Sequence, residues 1–224
     1  YTGDDATSHS IKGLNFNAAP DFVWIKNRDQ TEKQILHDTV RGVGNTLYTT
    51  SNQGSDTGSP YTDRYQSFDY NGFTVGTTHS GTNSDGDDFV AWCWKAGGNK
   101  NTFNVDDVGY ATFAASGTTA GTITPTGTSI GTKQGFSIIK YAGTDTGSSQ
   151  TIPHGLNEPP VFWIFKNMSQ SGDWIVYTTA IDGGSDYLKL NATDGANSGV
   201  SPWSTAPTNS VITVGTNNVD TCND

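Results

Sequence analysis

Any reaction or metal site in this chain has to be built from four histidines, two cysteines and an unusual stock of aspartate. Acidic residues number 22, and only Glu32 and Glu158 are glutamate, which leaves 20 Asp. His37 beside Asp38 is the one base with an acid next to it. Successive residues on a strand point to opposite faces, so the two do not meet naturally, and the many Ser and Thr nominate no nucleophile. Within Asn83-Ser84-Asp85-Gly86-Asp87-Asp88, the carboxylates of Asp85, Asp87 and Asp88 are candidate oxygen ligands for calcium. The run lacks the EF-hand spacing, and a solvated turn before a strand uses the same residues more simply. Paired carboxylates for glycoside hydrolysis carry no signal here, because so many Asp produce pairs by coincidence. Cys93 and Cys222 lie in no CxxC or CxxH arrangement, and spacing leaves open whether they pair. No residue is nominated as catalytic, and the chain reads as no enzyme, with no cofactor beyond that calcium candidate. Arg41 beside Gly42 is expected to anchor a turn through its fork of donors.

Aromatic rings offer a different chemistry. Tyr61, Tyr65, Tyr70 and Trp203, with Tyr110 beside them, lie near turn signals and are candidates for stacking on sugars. The competing expectation is that each ring is core, the commoner fate of an aromatic in a sheet.

The elements that must position these groups are strands. Hydrophobic residues make up only 33% of the chain, so six Trp, ten Phe and nine Tyr have to supply the core. Twenty-seven Gly, together with abundant Thr, Ser, Asn and Asp, favour short strands joined by turns. Helix formers are scarce. Phe22-Val23-Trp24-Ile25 and Phe162-Trp163-Ile164-Phe165 read as central strands, followed by Trp174–Tyr177, Tyr187–Leu190 and Val211–Val214. The net charge of −10 and the scattered Lys and Arg exclude a phosphate-binding stripe, so nucleic acid is not expected as a partner. No apolar run approaches about 18 residues, so no membrane partner is expected.

The chain also repeats. Residues 1–27 align without a gap on residues 141–167, matching Tyr1 with Tyr141, Pro20 with Pro160, Phe22 with Phe162 and Lys26-Asn27 with Lys166-Asn167. Thr74-Val75-Gly76-Thr77 answers Thr213-Val214-Gly215-Thr216. The expected architecture is all-β: tandem β-sandwich repeats, jelly-roll-like, with little helix. Copy one spans residues 1–115, a Gly/Thr-rich linker 116–134, and copy two 135–224. Copy one has no counterpart of Phe136–Lys140 ahead of it, and copy two none of Asp88–Lys95 behind it. The edges left open are expected to be completed by more polypeptide or a neighbouring subunit.

The string Pro20–Arg28, then His37–Gly42, Phe68–Gly76 and Ala91–Gly98, resembles an uncharacterised duplicated β-rich domain family of bacteriophage and marine-virus structural, fibre-like proteins. Asp173–Tyr177 and the Ser201-Pro202-Trp203 region continue the resemblance through copy two. It implies a virion component: a tail fibre, head fibre or capsid-associated protein, homo-oligomeric or assembled with other virion proteins, located on the particle or outside the cell. It implies no catalytic residues. The alternative expectation is a carbohydrate-binding, host-recognition adhesin module whose partners are host-surface glycans.

Overall fold

A computed structural model describes residues 1–57, 63–77, 79–144, 147–181, 186–198, 202–203, 205–215 and 222–223. The first portion carries β1 (His9–Lys12), β2 (Phe22–Asn27), β3 (Ile35–Asp38), β4 (Asn45–Tyr48), β5 (Asp56–Thr57), β6 (Tyr65–Asp69), β7 (Gly72–Val75), the one-turn helix α1 (Ser80–Asn83) and β8 (Phe89–Trp94). They form a five-stranded sheet in the order β5-β4-β3-β2-β8 and a three-stranded sheet in the order β1-β7-β6. β2 alternates as a one-sided strand must: Val23, Ile25 and Asn27 are buried, while Phe22, Trp24 and Lys26 are half-buried on the other face. Val23, Ile25 and Phe89 meet Tyr65, Phe73 and Val75 in one cluster, so both sheets share a core. The β6–β7 hairpin turns at Tyr70-Asn71, with Asn71 at φ 59°, where the left-handed region favours Asn.

The middle portion holds β9 (Phe103–Val105), β10 (Val108–Tyr110), β11 (Gly127–Gly131) and β12 (Phe136–Lys140), in the order β10-β9-β11-β12. β11 runs parallel to β9 and antiparallel to β12. This departs from the linker expected over 116–134, since all five residues of β11 are buried. The small residues there serve close approach. The Ser129 hydroxyl accepts from the Gly97 N–H and donates to the Gly98 carbonyl. A Cβ on Gly97 would lie 2.4 Å from the Ile130 backbone nitrogen.

The last portion carries β13 (Gln150–Pro153), β14 (Phe162–Phe165), β15 (Ile175–Thr178), β16 (Leu188–Lys189) and β17 (Val211–Val214), arranged as β13-β17 and β14-β15-β16. The β14–β15 pairing follows the β2–β3 pairing number for number. Phe22↔Asp38 through Ile25↔Ile35 becomes Phe162↔Thr178 through Phe165↔Ile175, each residue number raised by 140. Elsewhere the match is out of step by one residue: Thr74 pairs with Ser10 while its counterpart Thr213 pairs with Thr151, and Leu36↔Leu47 corresponds to Val176↔Leu188.

Side chains repeat too. The Asn27 amide oxygen accepts from the N–H groups of Asp29 and Gln30, and that of Asn167 accepts from Ser169 and Gln170. Lys26 Nζ donates to the Glu32 carbonyl, and Lys166 Nζ to that of Gly172. The Tyr1 hydroxyl donates to the Thr82 carbonyl, and the Tyr141 hydroxyl to the Cys222 carbonyl.

The two portions touch through Trp174, whose indole N–H reaches the carbonyls of Tyr48 and Ser51 and whose ring joins Leu36 and Leu47. Among the described residues no helix is long and apolar enough to cross a membrane.

Candidate functional site: an aromatic face and an open sheet edge

β8 reads Phe-Val-Ala-Trp-Cys-Trp, and a strand sends alternate residues to opposite faces. Phe89, Ala91 and Cys93 pack into the core cluster with Tyr65 and Phe73. Trp92 and Trp94 therefore face outward, 45% and 39% exposed. Their neighbours across the β2–β8 ladder are Trp24 and Phe22. The ring centroids of Trp24 and Trp92 lie 5.6 Å apart, those of Phe22 and Trp94 5.3 Å, and Phe136 sits 5.7 Å from Phe22. The result is a contiguous aromatic surface, suited to burial against a partner or to stacking. None of these five rings was singled out from sequence, where turn proximity guided the choice. The usable signal was the Trp-x-Trp alternation opposite Phe-x-Ala-x-Cys.

The end of β8 is held by Asp21, a fully buried carboxylate at the start of β2. One of its oxygens accepts from Lys95 Nζ at 2.7 Å, the Ala96 N–H at 2.8 Å and the Gly98 N–H at 3.1 Å. Lys95 also pairs with Asp107. Hydrogen bonding and charge from both carboxylates outweigh the desolvation of Lys95 and raise its pKa. The strand's other end is bracketed by the first residues of the chain. The Phe89 N–H donates to the Tyr1 carbonyl, and the Gly3 N–H to that of Asp87.

The corresponding position in the last portion is built differently. β14 pairs with β15 on one side, and among the described residues no strand pairs with its other side. The Thr179 N–H donates to the Val161 carbonyl, so odd-numbered residues of β14 address β15. Phe162 and Ile164 accordingly turn their backbone N–H and C=O to the open edge. Where Asp21 clamps β8, the chain has Val161, 64% exposed, and Phe162 beside it is 54% exposed.

The residues singled out from sequence are dispersed. Tyr61 lies outside the described residues. Tyr65 is fully buried, stacked on His37 with ring centroids 4.6 Å apart. Trp203 is also buried and meets Tyr177 edge-on at 5.3 Å. Neither presents a ring to a sugar. Both are core, because each stands on the residue paired with the inward position of its sheet, His37 opposite Val23 and Tyr177 opposite Trp163. Tyr70 is 69% exposed at the hairpin turn, and Tyr110 is half-buried on β10.

The calcium reading of Asp85, Asp87 and Asp88 finds no converging geometry. Asp87 accepts from the amides of Asn27 and Gln30, Asp88 accepts from the Thr2 hydroxyl, and Asp85 points to solvent. Among the described residues no three His, Cys, Asp or Glu side chains gather as a metal site.

His37 and Asp38 stay apart. The Asp38 carboxylate is bound by Arg41, whose guanidinium also donates to the carbonyls of Asn45 and Leu36, the turn anchor expected of it. Burial drives the His37 pKa well below its ordinary value, and the charges of Arg41 and Arg64 add to that. Burial likewise pushes the Cys93 thiol up to about 11, away from nucleophilic character. Cys93 and Cys222 belong to different core clusters and form no disulfide. A surface cleft of about 380 Å³ between Thr39 and Thr126 is lined by one ionisable group, Lys140.

A family model described as a domain of unknown function (DUF7483) matches residues 1–224. No curated protein and no solved structure matches the chain.

Proposed function

The chain belongs to the DUF7483 family, and we propose that it is a structural module of a virus particle, built from tandem copies of one β-sandwich unit and acting by assembly and surface display. A tail fibre, head fibre or capsid-associated position suits it, on the virion or outside the cell. Its partners are other copies of itself or other virion proteins. The observation that carries this reading is the contiguous aromatic face of Phe22, Trp24, Trp92, Trp94 and Phe136, on which Trp92 and Trp94 are 45% and 39% exposed. A contiguous exposed apolar surface is a place for another polypeptide to pack. Particles purified from cells producing the protein test it. Peptides of this chain are expected at fixed stoichiometry with the particle fraction. Recovery only among unassembled proteins would contradict the reading.

A second reading, a glycan-binding adhesin module, draws on the exposed Trp92 and Trp94 and on Tyr70. Glycan-array binding abolished by Trp92→Ala or Trp94→Ala would favour it. The same binding surviving both substitutions would count against these rings as its platform.

A further inference from the structure

We propose that the cleft of about 380 Å³ beside β12 binds an acidic oligosaccharide, with Lys140 as the partner of a sugar carboxylate. This rests on the glycan reading above and adds to it a second subsite and a ligand class. Thr39 and Val40 enter the cleft from the turn after β3, Asn101 and Thr102 from the turn before β9, and Thr126, Gly127 and Lys140 from the paired ends of β11 and β12. Its volume falls in the range of small-molecule sites.

The middle sheet builds this site. Gly127 pairs with Lys140 across the β11–β12 ladder, so both address one face. A Cβ on Gly127 would stand 3.0 Å from Val40 Cγ1 and 3.9 Å from Lys140 Cβ, so a larger residue there would take up space in the cleft. Asn104 is buried and holds the 101–104 segment, its amide donating to the carbonyls of Asn101 and Thr128. Among the described residues the Thr102 and Thr126 hydroxyls and the Lys140 ammonium have no protein partner. Phe136, Ile138 and Lys140 share one side of β12, while Ile139 packs the opposite way against Ile152 and Val214. Phe136 in turn stands against Phe22 and Trp94. The strand therefore links the cleft to the aromatic face over about 13 Å, the reach of a short oligosaccharide.

This row of groups specifies the ligand. Free hydroxyls at one end, apolar side chains along the strand and a single cation suit a molecule that combines hydroxyls, apolar ring faces and an isolated negative charge. An acidic sugar chain has that make-up. A phosphate group would call for several converging donors, and Lys140 is the one ionisable side chain lining the cleft. The chain's net charge of −10 repels anions at long range, so a local cation has to hold one.

The test uses the whole chain, isotope-labelled, titrated with trigalacturonate and with the fully methyl-esterified trisaccharide, which keeps the rings and removes the charge. Trigalacturonate is expected to shift the backbone amides of Thr102, Thr126, Gly127 and Lys140 and to bind roughly tenfold more tightly than the ester. Lys140→Gln is expected to remove that preference and Lys140→Arg to keep it, with amides away from the cleft unchanged in both variants. Equal binding of acid and ester, no shift at these amides, or a preference that survives Lys140→Gln overturns the proposal. So does equally tight binding of a triaspartate peptide, which makes the cleft a site for charge alone. If trigalacturonate fails while glycans on an array still bind through Trp92 and Trp94, the glycan reading stands and this subsite falls. If trigalacturonate binds and both Trp substitutions leave array binding intact, the cleft stands and those rings lose their role.

Discussion

His37 shows how strongly a single side chain's environment departs from its sequence setting. Its imidazole is fully buried against the Tyr65 ring and is held neutral in the native state, its pKa lowered by desolvation and by Arg41 and Arg64. His79, brought down to about 4 where its ring accepts from the Gly81 N–H, and His154 shift the same way. The unfolded chain binds protons at these sites as pH falls through about 6.5, and the native chain does not. Stability is therefore full above that pH and declines as pH drops from about 6.5 towards 4.5. Four of the carboxylates, Asp4, Asp69, Asp87 and Asp173, titrate below their ordinary 3.8 and are not yet involved in that window. Urea unfolding across it should show a slope of roughly 1.4 kcal/mol per pH unit from His37, removed in His37→Gln. An unchanged slope in the variant would contradict a neutral buried His37. The sequence showed His37 and Asp38 as neighbours that do not meet. It hid Tyr65 and Arg64 as their company, because those contacts cross the sheet stack.

Strands were the most legible level. Alternation and β-branched or aromatic runs marked β2, β8, β14, β15 and β17, and Asn71-Gly72 marked its hairpin. β11 escaped notice because its Gly, Ser and Thr look like a loop, when their small size is what lets Gly97 and Ile130 approach. Tyr65 and Trp203 lie in the core and Tyr70 at the surface, and proximity to a turn says nothing about which face a ring occupies. Trp163 stacks on Tyr177 at 3.7 Å, and Trp203 closes that pair edge-on. Trp203→Ala should cost about 3–5 kcal/mol of stability, and Tyr70→Ala less than about 0.5, both read from denaturant midpoints. Comparable losses in the two variants would refute the assignment of one ring to core and the other to surface.

At the scale of the molecule, the 140-residue repetition was readable from Tyr1, Pro20, Phe22 and Asn27 and their partners, and the matched registers of β2–β3 and β14–β15 follow it. What the alignment could not convey is how the portions join, since Trp174 answers Gln34 and makes a contact its counterpart does not. Nor could it show that Val161 stands 64% exposed where Asp21 is buried. The account depends on the two portions repeating one strand pairing, in which odd-numbered residues of β2 and β14 address β3 and β15. Amide hydrogen exchange resolved to single residues measures this directly. The account predicts that Trp163 and Phe165 are protected as Val23 and Ile25 are, and that Phe22 and Trp24, which address β8, are protected alongside them. Rapid exchange at Trp163 and Phe165 would contradict it.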